Sequence, residues 1–519
     1  MRNASAEKDE SPAGQPGFVP ARFQDMHLQR LSGLADQQGA SYLLMLLQEG
    51  GDQRIHCDPL SGRNRYGTRC LPDPQEIGFS STTASTVSPS GFALSLDALS
   101  RFDESDAEGW FDHVRRRLGR CFELGAEQVV LSPSGTDAEL MAVSLYAGLS
   151  RNPVSVILIA PDETGSGVAK AAAGCHFSSL TALGVTVEAG QPVSGFPVDR
   201  QELMTIAIRD MSGRARPTDE IDSEVLDAVK AALKRGRDVV LHVLDTSKTG
   251  LSGVSRPAAR AALALDPERV GVIVDACQFR CRVEEIAEDV QNGFLVIVTG
   301  SKFLAGPPFS AALLLPERLR SELLHKGGLP QGLADYSADL DWPSDLRGSL
   351  GFHARSKINL GLGLRWIAPL SHLEALTSVT AEVQAEIKAH FLALIRQRLA
   401  VSRHVVLHED DEGDYLSRRA IIPLSLFDTL GHAVGADEAR RIWQAMREDG
   451  CGPVCQIGQP VILGERVVVR LAASAADVLS LAEGLTSGQS LSQAAQPVET
   501  RLDRVFDKLE RLLSRQDGC

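Results

Sequence analysis

Apolar and polar positions follow two periods along this chain. Short apolar runs start at Val129 and span 154–160, 239–244, 272–274, 296–298, 311–315 and 420–426, with another starting at Val467. Each ends in small or polar residues, as buried strands do. The alternating stretch 184–190 reads as a further strand. Between the runs the period is helical. Over 105–124, Trp110, Phe111, Val114, Leu118 and Phe122 mark one face, and Ile221, Val225, Val229 and Leu233 recur at four-residue spacing over 219–234. Helices are also expected over 21–48, 138–149, 168–173, 359–388 and 436–449, and in an amphipathic tail from 496. Strands alternating with helices predict an α/β chain with a mostly parallel sheet and a site at the strand C-terminal ends.

The pattern also suggests divisions. Residues 1–95 form an N-terminal arm that starts as a polar lead-in and includes the Ser/Thr/Gly-rich stretch 50–91. Residues 96–355 form a large domain, 356–490 a smaller α+β domain, and 491–519 a terminal helix. The loop 326–356 is expected to be an active-site wall, and 451–459 reads as a loop.

Composition narrows the function. The 519 residues are 43% hydrophobic with 46 glycines, enough for a large core. A net charge of −14 argues against nucleic-acid or anionic-membrane partners. Nine cysteines without a CxxC pair suggest free thiols in a reducing compartment, and no metal site is expected. No apolar run reaches the ~20 residues that span a bilayer, and the N-terminus lacks an apolar signal region. The expectation is a cytoplasmic protein.

Three strand ends carry candidate chemistry. Ser134-Gly135-Thr136 follows the first strand and opens a helix, a pattern that makes an anion cradle from N–H groups at a positive helix end. Asp275-Ala-Cys-Gln278 ends another strand in a carboxylate suited to a protonated ring nitrogen. Thr299-Gly-Ser301-Lys302, followed by Gly306-Pro307-Pro308, delivers one lysine between two apolar runs. Taken alone, Lys302 reads equally well as a surface lysine or as an amine that forms a Schiff base. With the cradle and the acid, the second reading gains.

Together these segments resemble fold type I pyridoxal-phosphate enzymes, most closely the class V aminotransferase, cysteine desulfurase and kynureninase group. The resemblance runs from about residue 126 to 474. It implies pyridoxal 5'-phosphate on Lys302, with Asp275 at the ring nitrogen and Gln278 at the ring oxygen. Ser134, Gly135, Thr136, Thr299 and Ser301 would hold the phosphate. Arg470, in Arg-x-x-x-Ser474, matches the family's carboxylate-binding arginine; a surface ion pair is the bland alternative. The strand ending at Asp245 reaches the site, and small hydroxyls such as Ser247 stand near the family's Asn-Asn. Thr164 and Gly165 occupy the place of the family's ring-stacking residue, with His176 as a substitute or a structural histidine. The family's arm lies over the active site or the neighbouring subunit, which makes Tyr66 and the run 80–86 candidate contacts.

An aminotransferase acting on an α-amino acid, as a homodimer, is the first expectation. A lyase, hydrolase or Cβ/Cγ substituent-exchange enzyme of specialised biosynthesis is the second. A desulfurase using Cys451 or Cys455, or a non-catalytic scaffold, ranks lower. The lack of GxGxxG after the early strand disfavours a nicotinamide-dependent dehydrogenase.

Overall fold

A computed structural model describes residues 37–408 and 415–514. The expected lead-in, the first part of the 21–48 helix and the last residues of the tail lie outside them. Twelve strands are present among the described residues: β1 (Ile77–Phe79), β2 (Val129–Ser132), β3 (Val154–Ile159), β4 (Gln201–Ile206), β5 (Asp238–Leu244), β6 (Val270–Ala276), β7 (Leu295–Thr299), β8 (Ala311–Leu314), β9 (Val405–Leu407), β10 (Ile421–Leu426), β11 (Cys455–Leu463) and β12 (Arg466–Ala472).

Seven of them form one sheet in the order β2-β8-β7-β6-β5-β3-β4. β3 to β7 pair in parallel, and β8 runs antiparallel to both β2 and β7. β2, β3, β5, β7 and β8 are buried along their whole length. That is why they read as unbroken apolar runs. Helices cover both faces. The helix Gly135–Leu149 packs on one, while Thr218–Lys234, Arg256–Leu265 and Val283–Gln291 pack in the core on the other side. Each buried Val, Leu or Ile side chain contributes roughly 1.5–3 kcal/mol.

The second sheet has the order β1-β11-β12-β10-β9. Its edge strand β1 comes from the arm and pairs in parallel with β11 (Ile77 with Cys455, Phe79 with Ile457). The arm is therefore stitched into the C-terminal sheet rather than lying loose on it. The helix Leu491–Ser514 buries Leu502, Val505, Phe506 and Leu509 against the same body.

Three sequence expectations change. Residues 184–190 are not a strand; they form an exposed turn held by a bridge between Leu180 and Thr186, with Gly184 and Gly190 in left-handed backbone (φ 79° and 93°). The sheet edge is instead β4, whose half-buried Gln-Glu-Leu-Met-Thr-Ile has no continuous apolar run to announce it. Residues 455–459 begin β11 rather than a loop. The expected helix over 359–388 is two helices, Leu360–Leu376 and Ala381–Leu399, divided at Thr380, whose hydroxyl caps the second by accepting from Val383 N–H.

The cysteines also depart from expectation. Cys57 and Cys70 form a disulfide that closes a 13-residue span of the arm, and Cys451 is disulfide-bonded as well. No described helix is long and apolar enough to cross a membrane.

Candidate active site

Parallel strands end together at one edge of the large sheet, and the loops that leave that edge meet. Five of the seven non-glycine residues with positive φ lie in these loops: Ala160, Val254, Phe279, Ala305 and Phe309. Each such residue costs of order 1 kcal/mol or more. The strain therefore collects where the strand ends converge.

The cradle is built by the turn after β2. Ser134 caps the helix Gly135–Leu149, its hydroxyl accepting from Asp137 N–H at 3.2 Å. The free N–H groups of that helix start give a partial positive charge. Gly135 has no space for a side chain, since a Cβ there would stand 2.7 Å from Cys277 Sγ. Thr136 packs against Gly165 and Gly167 of the neighbouring loop. Burial and the charge of Asp52 push Asp137 up to about 7, so much of it is neutral at neutral pH.

Asp275 ends β6. One of its oxygens accepts from Cys277 N–H at 3.0 Å, and it has no ion-pair partner among the described residues. Beneath it lie Glu139 and His242, with Oε1 and Nε2 3.4 Å apart. Burial holds His242 down to about 3, and burial together with Asp275 raises Glu139 well above the carboxylate range. The pair is thus neutral and supplies Asp275 with no counter-charge. Gln278 donates from Nε2 to Thr82 O at 3.0 Å, while its buried Oε1 has no partner. What faces Oε1 must be a donor.

Lys302 follows β7 in a turn pressed from below by Pro369 of the helix Leu360–Leu376. A Cβ at Gly300 or Gly306 would come within 2.6 or 2.1 Å of that proline. His372 Nδ1 lies 2.7 Å from Leu304 O in the same turn. Lys302 is half-buried, and its charge bears on both Cys277 and Lys248. Thr299 donates to Cys277 O at 2.6 Å, tying the lysine strand to the acid strand. Ser301, next to the lysine, is also half-buried.

The arm closes the site. Ser85 Oγ reaches Lys302 O at 3.4 Å, and Ser81 Oγ donates to Ala473 O at 2.8 Å. Arg280 donates from Nη2 to Ser81 Oγ and from Nη1 to Ala473 O, both at 2.7 Å. The Ser/Thr run thus touches the lysine turn and the end of β12. Tyr66 lies elsewhere, with Arg54 and Asp52, and Arg54 in turn acts on Asp137.

Arg470 is fully buried. Its Nη1 and Nη2 donate to Lys248 O (3.0 Å) and Gln459 O (2.5 Å), and its Nε has no partner. Burial pulls its guanidinium down to about 10. A side chain at Gly458 would meet both Arg470 Nε and the equally unpartnered Thr82 Oγ1 at 3.0 Å.

The remaining candidates are held by local bonds. Thr164 donates to Pro161 O at 3.0 Å. Ser247 donates to Glu163 at 2.8 Å. Asp245 is locked between Arg256 (3.0 Å) and Arg419 (3.3 Å), with Thr246 Oγ1 at 2.7 Å. His176 bonds Tyr336 OH at 2.6 Å and lies stacked on its ring, a structural placement. Cys455, at the start of β11, is buried with its thiol pushed up to about 11, so it offers little thiolate. Sequence reasoning passed over Cys277, Glu139, His242 and Lys248, and named Thr82 only as part of the run 80–86. The first three sit inside apolar stretches that look like plain core, and nothing in the sequence brings residue 82 to residue 278.

No protein-family model matches the chain, and no curated protein matches it in sequence. Solved structures do match it in shape. Oryza sativa TDC with PLP superposes with a TM-score of 0.51 at 12% identity, covering 97% of this chain and 91% of that one. Mouse CSAD does so at 0.53 and 14%, covering 84% of each chain. The cysteine desulfurase CsdA of Escherichia coli does so at 0.50 and 12%, covering 85% of this chain and 95% of that one. The chain has the fold of type I pyridoxal-phosphate enzymes.

The residues at the strand ends fit such a coenzyme. The cradle has room only while residue 135 is glycine. Asp275 lacks a counter-charge, Gln278 Oε1 lacks a donor, and Lys302 stands in the turn between β7 and β8.

Proposed function

We propose that this chain holds pyridoxal 5'-phosphate on Lys302 and acts on an α-amino acid. The observation that carries the reading is the uncompensated carboxylate of Asp275 above a neutral Glu139–His242 pair. A carboxylate in that setting favours a protonated nitrogen as its partner. Bound there, the coenzyme supplies an electron sink for a bond broken at Cα. Asp275 keeps the proton on the ring nitrogen. Gln278 accepts from a ring substituent, and the helix start at Gly135 with Thr136 neutralises the phosphate. Lys302 Nζ moves protons at Cα. The arm residues Ser81, Thr82 and Ser85 narrow water access over the lysine turn.

Transamination is the first reading of the reaction, because it asks of the chain only one amine that moves a proton between two carbons. One observation favours a second reading, a lyase. Both terminal nitrogens of Arg470 are committed to main-chain carbonyls, so Arg470 offers a carboxylate only its Nε rather than a bidentate clamp, and a more loosely held α-carboxylate is freer to be the group that leaves. The high thiol pKa of Cys455 and the bonded state of Cys451 weigh against a desulfurase. A scaffold has no use for an uncompensated acid beside a lysine.

A homodimer belongs to the same proposal. The exposed Gly165 and Ser166 beside the cradle give a second copy a rim to cover. Light scattering reads the mass directly.

The test is the visible spectrum of purified protein with added pyridoxal phosphate, for wild type and Lys302→Ala. An absorbance band that borohydride removes and the variant lacks is expected. Amino acids added singly then separate the reactions: keto-acid release marks transamination, and carbon dioxide release marks a lyase. No band in wild type would overturn the reading.

A further inference from the structure

Lys248 stands in the loop after β5, between the Glu163 loop and Arg470. Its main chain is fixed on both sides: its N–H donates to Glu163 O at 2.9 Å, and its carbonyl accepts from Arg470 Nη1 at 3.0 Å. Its side chain is half-buried, and its ammonium has no hydrogen-bond or ion-pair partner among the described residues. The charged groups that bear on it are Arg470, Lys302, Glu163 and Asp162. Glu163 cannot serve as its counter-ion in any direct sense. That carboxylate is already engaged by Arg209 Nε (2.5 Å), Ser247 Oγ (2.8 Å) and Thr249 Oγ1. Asp162 is exposed to solvent.

The same corner holds a second cation, Arg470, which is bonded to two main-chain carbonyls but to no carboxylate among the described residues. Arg470 is 1% exposed and its Nε is without a partner. Thr82 Oγ1, also unpartnered, stands beside it across Gly458. Two desolvated cations and an orphan hydroxyl meeting at one corner are costly unless anions arrive to pair with them. A single α-carboxylate answers only one of the two charges. Burial, together with Arg470 and Lys302, brings the Lys248 amine down to about 8, which agrees with an amine held among cations and short of water.

We propose that Lys248 is a substrate-binding cation and that the site takes amino acids bearing a second acidic group, one group paired with Arg470 and the other with Lys248. This rests on the reading of the site as one for an α-amino acid. It adds what that reading lacks, the chemical class of the side chain.

The experiment is equilibrium calorimetry on the coenzyme-loaded protein, using unreactive probes: succinate and glutarate against butyrate. Wild type is compared with Lys248→Met and Lys248→Gln, each first matched to wild type by thermal melting, and with Lys248→Arg as the charge-keeping control. A charge-assisted bond predicts that wild type binds a dicarboxylate at least ~10-fold tighter than butyrate. The neutral variants should lose that preference and bind butyrate within ~2-fold of wild type, and Lys248→Arg should keep most of it. Equal affinities in wild type, a comparison that needs no variant, would overturn the proposal. So would a preference that survives in either neutral variant. The visible band separates the two failures. A band without dicarboxylate preference removes only the second acidic group, whereas no band removes the coenzyme reading itself.

Discussion

Asp245 and Asp275 stand side by side at the ends of β5 and β6, where Asp245 N–H donates to Asp275 O at 3.1 Å. Both follow apolar runs and both face the same edge of the sheet. Their surroundings are opposite. Asp245 is 1% exposed and saturated by Arg256, Arg419 and Thr246. Asp275 is half-buried, with its carboxylate bonded only to Cys277 of its own loop and backed by a pair that carries no charge. Arg419 belongs to the C-terminal part of the chain, so the Asp245 cluster ties the two sheets together. Asp275 meets no ion-pair partner among the described residues. An acid at a strand end becomes a brace or a reactive-site group according to which cations the fold brings to it.

The largest effect that tests this contrast is expected from Asp275→Asn. Removing one preorganised charge from the reacting centre should lower kcat/KM by roughly 10²- to 10³-fold, with little change in melting temperature. Steady-state kinetics on whichever amino acid responds would check it, and a fall under tenfold would make the two aspartates equivalent. Next is Asp245→Ala. It strands two arginines in a buried network, so a stability loss of about 3–5 kcal/mol is expected by chemical denaturation. Turnover per folded molecule should stay near wild type.

The pH profile sharpens the same point. Burial pushes Asp245 up, but Arg419 and Arg256 outweigh it and hold its pKa below the usual 3.8. A carboxylate depressed in the folded state contributes stability that is complete above 3.8 and is lost as pH falls through the lower folded value. Melting temperatures followed downward from neutral pH should therefore drop below that point in wild type, and more gently in Asp245→Asn. The smallest change is Gly135→Ala. A Cβ there would crowd Cys277 Sγ at 2.7 Å, which costs about 1–3 kcal/mol and weakens coenzyme binding. Unchanged affinity would place the anion elsewhere.

Much of this architecture was readable in one dimension. A strand buried on both faces has to be apolar throughout, so β2, β3, β5, β7 and β8 announce themselves. The residues that break out of those runs, such as Asp275 and Lys302, then stand out. β4 did not show, because an edge strand needs only partial burial and its Glu202 faces Arg235 and Arg237 at the surface. The arm strand β1, with only three residues, is likewise too short to carry a period.

By itself the sequence determined the layered α/β design, the turn at Ser134 that opens the helix Gly135–Leu149, and the strand ends that carry Asp275 and Lys302, because burial and turn chemistry act over neighbouring residues. Only the tertiary structure decided which of these groups stay unpaired. Arg419 reaches Asp245 from 174 positions away, Thr82 reaches Gln278 across 196, and Arg470 meets Lys248 across 222. Charge compensation is a matter of distance in space, and nothing in local spacing encodes it.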